Sequence, residues 1–161
     1  MYRTAKFLLA LLLIAAVLFS AAYAEPAQTT LEFDFLSKLL ILDAETLSTL
    51  TAPADAEEAS QSLSTWLAET VGEISSPELL DELLRSRLPL SLLDGVESLC
   101  VREIYTETLN PDTAGSGRYK FTVLADAMLD RGEASELTFF GRLTKDEAAG
   151  QITALRLNRM P

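Results

Sequence analysis

The chain predicts an α+β fold in which N-terminal helices pack on one face of a four-stranded antiparallel meander sheet. Two observations carry this. The stretch to about Leu88 is rich in leucine and alanine at helical spacing, and from Val96 the residues become β-branched, aromatic and alternating, with the change near Asp94-Gly95. Helices come first and strands second, with no internal repeat. A sheet with one apolar face, preceded by apolar helices, is closed most simply by laying the helices across that face.

Before the domain comes a leader. Arg3 and Lys6 precede an apolar run of 13 residues from Phe7 to Phe19, and Ala22-Tyr23-Ala24 supplies the small residues a signal peptidase accepts. A membrane-spanning helix needs roughly 20 apolar residues, so the run is short for an anchor. No cysteine follows to carry a lipid. Cleavage after Ala24 is expected, giving a secreted or extracytoplasmic domain over residues 25–161 with no membrane span. Removing 24 of 161 residues leaves 137, enough for a single core. It also removes two positive charges, moving the net charge from −11 to −13. Such a surface repels nucleic acid and anionic lipid, and the expected partners are a second copy of the chain, as a homodimer, or an envelope protein.

Helices are expected over about 31–88. Thr29 with Glu32 fits a capping box opening a helix from Leu31 to Leu42. Asp43 then caps a short helix that holds Leu47 and Leu50 and stops at Pro53. Asp55 and Glu58 cap a third, in which Ala59, Leu63, Trp66, Leu67 and Val71 form one apolar stripe up to Gly72. Ser76-Pro77-Glu78 opens a fourth, carrying Leu79, Leu80, Leu83, Leu84 and Leu88 and stopped by Pro89.

Strands are expected at about 97–109, 118–129, 135–144 and 151–158, divided by turn-forming residues at 110–117, 130–133 and 146–150. A one-residue slip swaps the faces of a strand, so the apolar pattern selects the register. Pairing Ala125 with Phe139, and Gly141 with Leu155, gathers Tyr119, Phe121, Val123, Ala125, Leu137, Phe139, Leu143, Leu155 and Leu157 on one face. The other face is mixed, with Leu124, Met128, Phe140 and Ile152 as apolar islands among polar groups. Cys100, in Leu99-Cys100-Val101, reads as a buried small hydrophobe.

Phe35 to Leu50, with the hairpin strands Leu137 to Leu143 and Gly150 to Leu157, resembles the NTF2-like (SnoaL-like, cystatin-like) superfamily at the level of fold. The resemblance spans most of residues 25–161 and implies helices wrapped on a curved antiparallel sheet. It also implies pairing through the sheet face the helices leave open, with Phe140, Leu124, Met128 and Ile152 as ligand or interface residues. One departure is that Trp66 to Leu88 reads as purely helical, where the family places a short strand.

The chain has no histidine, which removes the commonest general base and every Ser-His-Asp or Cys-His arrangement. A family isomerase or lyase would use a carboxylate beside a tyrosine in an apolar pocket. If the first strand turns Tyr105 inward, Glu103 and Glu107 share its parity, and these three are the catalytic candidates. Charges on an edge strand also discourage aggregation, which explains both glutamates without chemistry. Acidic groups at Asp43, Asp55 and Asp146 sit at helix starts or turns, so capping accounts for them and no metal or cofactor is expected. The leading functional expectation is a non-catalytic domain that binds another protein, its own twin or an apolar small molecule, with a histidine-free isomerase or lyase as its rival.

Overall fold

A computed structural model describes residues 30–52, 55–110 and 116–160. The leader, Thr29 and Pro53 lie outside the described residues. The elements run α1 (Leu31–Leu40), α2 (Ala44–Thr51), α3 (Ala56–Val71), α4 (Pro77–Ser86), β1 (Val96–Asn110), β2 (Ser116–Leu129), β3 (Ala134–Asp146) and β4 (Gln151–Arg159). The architecture is α+β, and the strands pair antiparallel in the order β1-β2-β3-β4. No helix among the described residues is long and apolar enough to cross a membrane.

Short polar side chains start each helix by accepting from its free N–H groups. Thr30 caps α1, taking the Phe33 N–H at 3.3 Å. Asp43 takes the Thr46 N–H at 2.7 Å, Asp55 those of Glu57 and Glu58 at 3.0 and 2.8 Å, and Ser76 that of Leu79 at 3.3 Å. Two helices are shorter than expected. α1 ends at Leu40 because Leu42 pairs with Leu99 of β1 in an isolated antiparallel bridge, exchanging both backbone hydrogen bonds. α4 ends at Ser86, where Arg87 turns left-handed (φ 54°), since the residue before Pro89 is sterically barred from continuing the helix. The stretch between α3 and α4 is also not purely helical. A 3-10 turn at Gly72–Ile74 leads to Ser75, which bridges Ile152 of β4 in parallel.

The meander holds, but its register is two residues from the expectation. Ala125 faces Leu137 and Gly141 faces Leu157. Turn geometry decides this: Gly132 and Gly150 adopt φ of +73° and +64° and close tight turns, with Gly132 N–H on Leu129 O at 2.7 Å and Gly150 N–H on Asp146 O at 2.9 Å. An even slip preserves the faces, so the inner face is the expected apolar one except near the start of β4. There Thr144 faces Ala154 while Lys145 faces Ile152, leaving Thr153 as an extra residue in a bulge. The bulge turns Ile152 from the open face into the core, where it is fully buried.

All four helices lie on one side of the sheet. Phe35, Phe121 and Phe139, with Leu36, Leu39, Leu40, Leu63 and Leu79, fill the space between the layers and are at most 1% exposed. Gly141 is required there. A Cβ would stand 1.8 Å from the Arg156 carbonyl oxygen and 2.8 Å from the Phe121 ring.

Candidate functional site

Two groups of side chains stand apart from capping and core. The first is a polar cluster where α1 meets the β3–β4 end of the sheet. Glu32, at the second position of α1, is 3% exposed, and its carboxylate is 3.3 Å from Lys145 Nζ. Lys145 also contacts Glu147 at 2.8 Å, and the Tyr119 hydroxyl donates to Glu147 at 2.9 Å. Gly117 leaves room for this arrangement, since a Cβ there would lie 2.7 Å from the Tyr119 ring.

Ionisation in the cluster is fixed by its surroundings. Burial works against the Glu32 charge, yet hydrogen bonds from its own N–H and the Thr30 hydroxyl, with Lys145 beside it, hold the carboxyl below its usual range. Burial likewise opposes the Lys145 charge and is outweighed by Glu147 and Glu32, so its pKa rises. Burial, then the bond to Glu147, pushes Tyr119 up to about 12. At neutral pH the cluster therefore holds an ionised Glu32, a charged Lys145 and a neutral Tyr119. These three groups are all displaced away from neutrality, which suits a clasp rather than proton transfer.

The second group is the sheet face opposite the helices. Of the seven large hydrophobic side chains exposed among the described residues, four lie on it: Tyr105 (56%), Leu109, Met128 and Phe140 (40%). Leu124 adds a half-buried fifth. In register, Tyr105, Thr122 and Phe140 form one row across β1, β2 and β3, and Glu103, Leu124 and Thr138 form the next. Arg102 contacts Asp126 and Glu136 on the same face.

The catalytic candidates are on this solvent face rather than in an apolar pocket. Ile104, not Tyr105, turns toward the helices, after a register shift between Val101 and Glu103. Glu103, Tyr105 and Glu107 are exposed, and the Tyr105 hydroxyl bonds Glu103, which raises its pKa. Cys100 is exposed as well, because it alternates with buried Leu99. Of the expected interface residues, Leu124, Met128 and Phe140 share the open face and Ile152 does not. Trp66 is half-buried, packing on the core while lining an open cleft of about 640 Å³ with Thr49, Gln61 and Glu69.

Sequence reasoning missed the clasp. Glu32 reads as a capping residue and Lys145 falls between an expected strand and an expected turn with no role of its own, and joining them requires knowing that α1 crosses the far end of β3. No group of three or more His, Cys, Asp or Glu that could hold a metal ion occurs among the described residues. Asp146, like Asp43 and Asp55, is engaged by backbone: it accepts from Ala148 and Ala149 N–H, both at 2.9 Å.

No family model matches the sequence, and no curated protein matches it. Among solved structures it is similar to a de novo designed β-sheet protein determined by solution NMR, at 16% identity and a TM-score of 0.36, covering 79% of this chain and 87% of that one. A likeness at that level bears on neither family nor function.

Proposed function

We propose that this protein is an exported, non-catalytic interaction domain that presents its open sheet face to a protein partner. The carrying observation is that Tyr105 and Phe140 are exposed on either side of half-buried Leu124 across three adjacent strands, with Met128 also exposed further along the same face. Single surface hydrophobics are ordinary, but Tyr105, Leu124 and Phe140 occupy adjacent rows of neighbouring strands on one face and are rimmed by charge, which is the make-up of an interaction site. The leader-like first 24 residues support export. The helix-covered face is filled with leucine and phenylalanine, and its one buried carboxylate among the described residues, Glu32, is held ionised by Lys145. Both facts weigh against the isomerase or lyase. The helices-first order, the meander and the Ser75 bridge beside β4 support the NTF2-like resemblance as part of this reading.

Phe140→Glu tests it. A charge at the centre of a desolvated interface, together with the loss of an aromatic anchor, should cost about 2 kcal/mol or more of binding. The variant should lose its complex while its melt stays within about 0.5 kcal/mol of wild type, because an exposed strand position tolerates the change. A variant that keeps every complex of the wild type refutes the proposal.

A further inference from the structure

We propose that the β3–β4 end of the open sheet face is a binding site for a small soluble polyanion, a ligand carrying clustered carboxylate or phosphoryl groups. The inference goes beyond the protein interface proposed above and does not depend on it.

The observation is a basic hollow on an acidic protein. A cleft of about 470 Å³, a volume ordinary for a small-molecule site, is lined by Arg118 of β2, Arg142 and Thr144 of β3, Ala154 and Arg156 of β4, and Leu109 of β1. No described aspartate or glutamate lines it, although the chain has 24 of these against 13 lysines and arginines. The register accounts for the shape. Arg118 faces Thr144, which faces Ala154; two residues along, Lys120 faces Arg142, which faces Arg156. Thr144 and Ala154 are short, so a hollow opens between the long arginines around them.

The arrangement costs stability. Lys120, Arg142 and Arg156 set like charges side by side across β2, β3 and β4, and like charges directly opposite one another destabilise a sheet. None of the three has an ion-pair partner among the described residues. The described carboxylates nearest in register do not relieve them. Glu107 faces Lys120 without forming an ion pair, Asp146 accepts from the Ala148 and Ala149 N–H groups, and Glu147 engages Lys145 and Tyr119. Charge on an edge strand guards against aggregation and would account for Arg156 alone. Lys120 and Arg142 stand on the two central strands, which have no edge to guard.

Chemistry selects the ligand. A guanidinium is a planar fork that bonds a carboxylate or phosphoryl group through two parallel N–H donors. Three such forks, with the Lys120 ammonium and the Thr144 hydroxyl, are matched by a di- or trianion and only in part by a single charge. The net charge of −11 sets the size. A nucleic acid or an anionic membrane, spread over the molecule, meets repulsion from the rest of the surface, whereas a ligand that fits within the cleft meets only its basic wall.

Calorimetric titration of the purified protein with citrate and with inorganic pyrophosphate tests this. At least one should show single-site saturation with a Kd of about 1 mM or tighter, weakening as salt is raised, and the preferred probe tells carboxylate from phosphoryl recognition. Arg142→Gln and Arg156→Gln should each weaken binding at least about tenfold through the lost charge-assisted bonds. Both should melt at or above wild type, because each removes a like-charged neighbour. Arg131→Gln, which removes an exposed charge from the β2–β3 turn, should bind within about twofold of wild type. Titration of the wild type followed by NMR needs no variant to fold, and should shift the Arg118, Thr144 and Ala154 amides while leaving Arg131 unmoved. Absence of saturable binding by either probe overturns the site. So does binding that Arg131→Gln weakens as much as Arg142→Gln, or amide shifts that fall elsewhere. Each of these results leaves the Phe140→Glu test of the protein interface standing.

Discussion

Replacing Lys145 by methionine isolates the clasp between α1 and the sheet. The substitution keeps most of the aliphatic stem and removes the ammonium that lies 3.3 Å from the Glu32 carboxylate. At an effective dielectric near 20, unit charges at that spacing attract by roughly 5 kcal/mol. Much of this is returned by resolvation, because Lys145 is 18% exposed and Glu147 42%. Glu32, at 4%, cannot be resolvated in place. A net loss of about 2–3 kcal/mol follows, somewhat below the range for fully buried pairs. A chain of this size should then melt about 6–12 °C lower. The pH dependence carries the diagnosis. The Glu32 carboxyl is depressed in the fold, so its contribution is present above the ordinary carboxyl range and is lost as pH falls through the folded value. The gap between wild type and Lys145→Met should therefore be widest near neutrality and close only as pH falls below the ordinary carboxyl range, through the depressed folded value of Glu32. Glu32→Gln combined with Lys145→Met should recover to within about 1 kcal/mol of wild type, since a neutral amide needs no cation. Chemical denaturation at several pH values measures all of this. A gap that does not change with pH, or one under 0.5 kcal/mol, refutes the electrostatic account of the clasp.

Gly141→Ala should be strongly destabilising, by about 3 kcal/mol or more, because the new methyl meets the Arg156 backbone at 1.8 Å and a backbone cannot rotate away; a melt within 3 °C of wild type contradicts this. Ser75→Ala should be neutral or stabilising by up to about 1 kcal/mol, since the Ser75 hydroxyl is buried and finds no hydrogen-bond partner; denaturation showing a clear loss would mean the hydroxyl is satisfied. Cys100 should label with a thiol reagent in the dilute native protein at a rate close to that after denaturation, being exposed on the open face; slow native labelling at low concentration would place it in the core.

Local chemistry made much of the fold legible. Asp43, Asp55 and Ser76 each announce a helix start and perform that role, and the alternation from Tyr119 to Ala127 identifies the buried face of β2. What the pattern could not supply is geometry set by single residues. The left-handed glycines at 132 and 150 move the register by two without altering the faces, and the extra residue at Thr153 turns Ile152 inward. The register shift after Val101 likewise turns Ile104 to the helices and leaves Tyr105 and its flanking glutamates in water. Such features depend on turn closure and on what packs above the strand, neither of which alternation encodes. Glu32 and Lys145 are more than 100 positions apart in sequence, and only the crossing of α1 over the sheet joins them.

The central claim is that the open sheet face is covered in the working state, and hydroxyl-radical footprinting tests it most directly. The protein in its native exported fraction is compared with the purified protein at high dilution. Tyr105, Met128 and Phe140 should be protected in the native fraction, while Phe33 and Ile41 on the helical side, 42% and 53% exposed, should react equally in both and serve as internal controls. Equal reactivity of the three sheet residues in both samples, or protection that falls on Phe33 and Ile41 instead, would contradict the account.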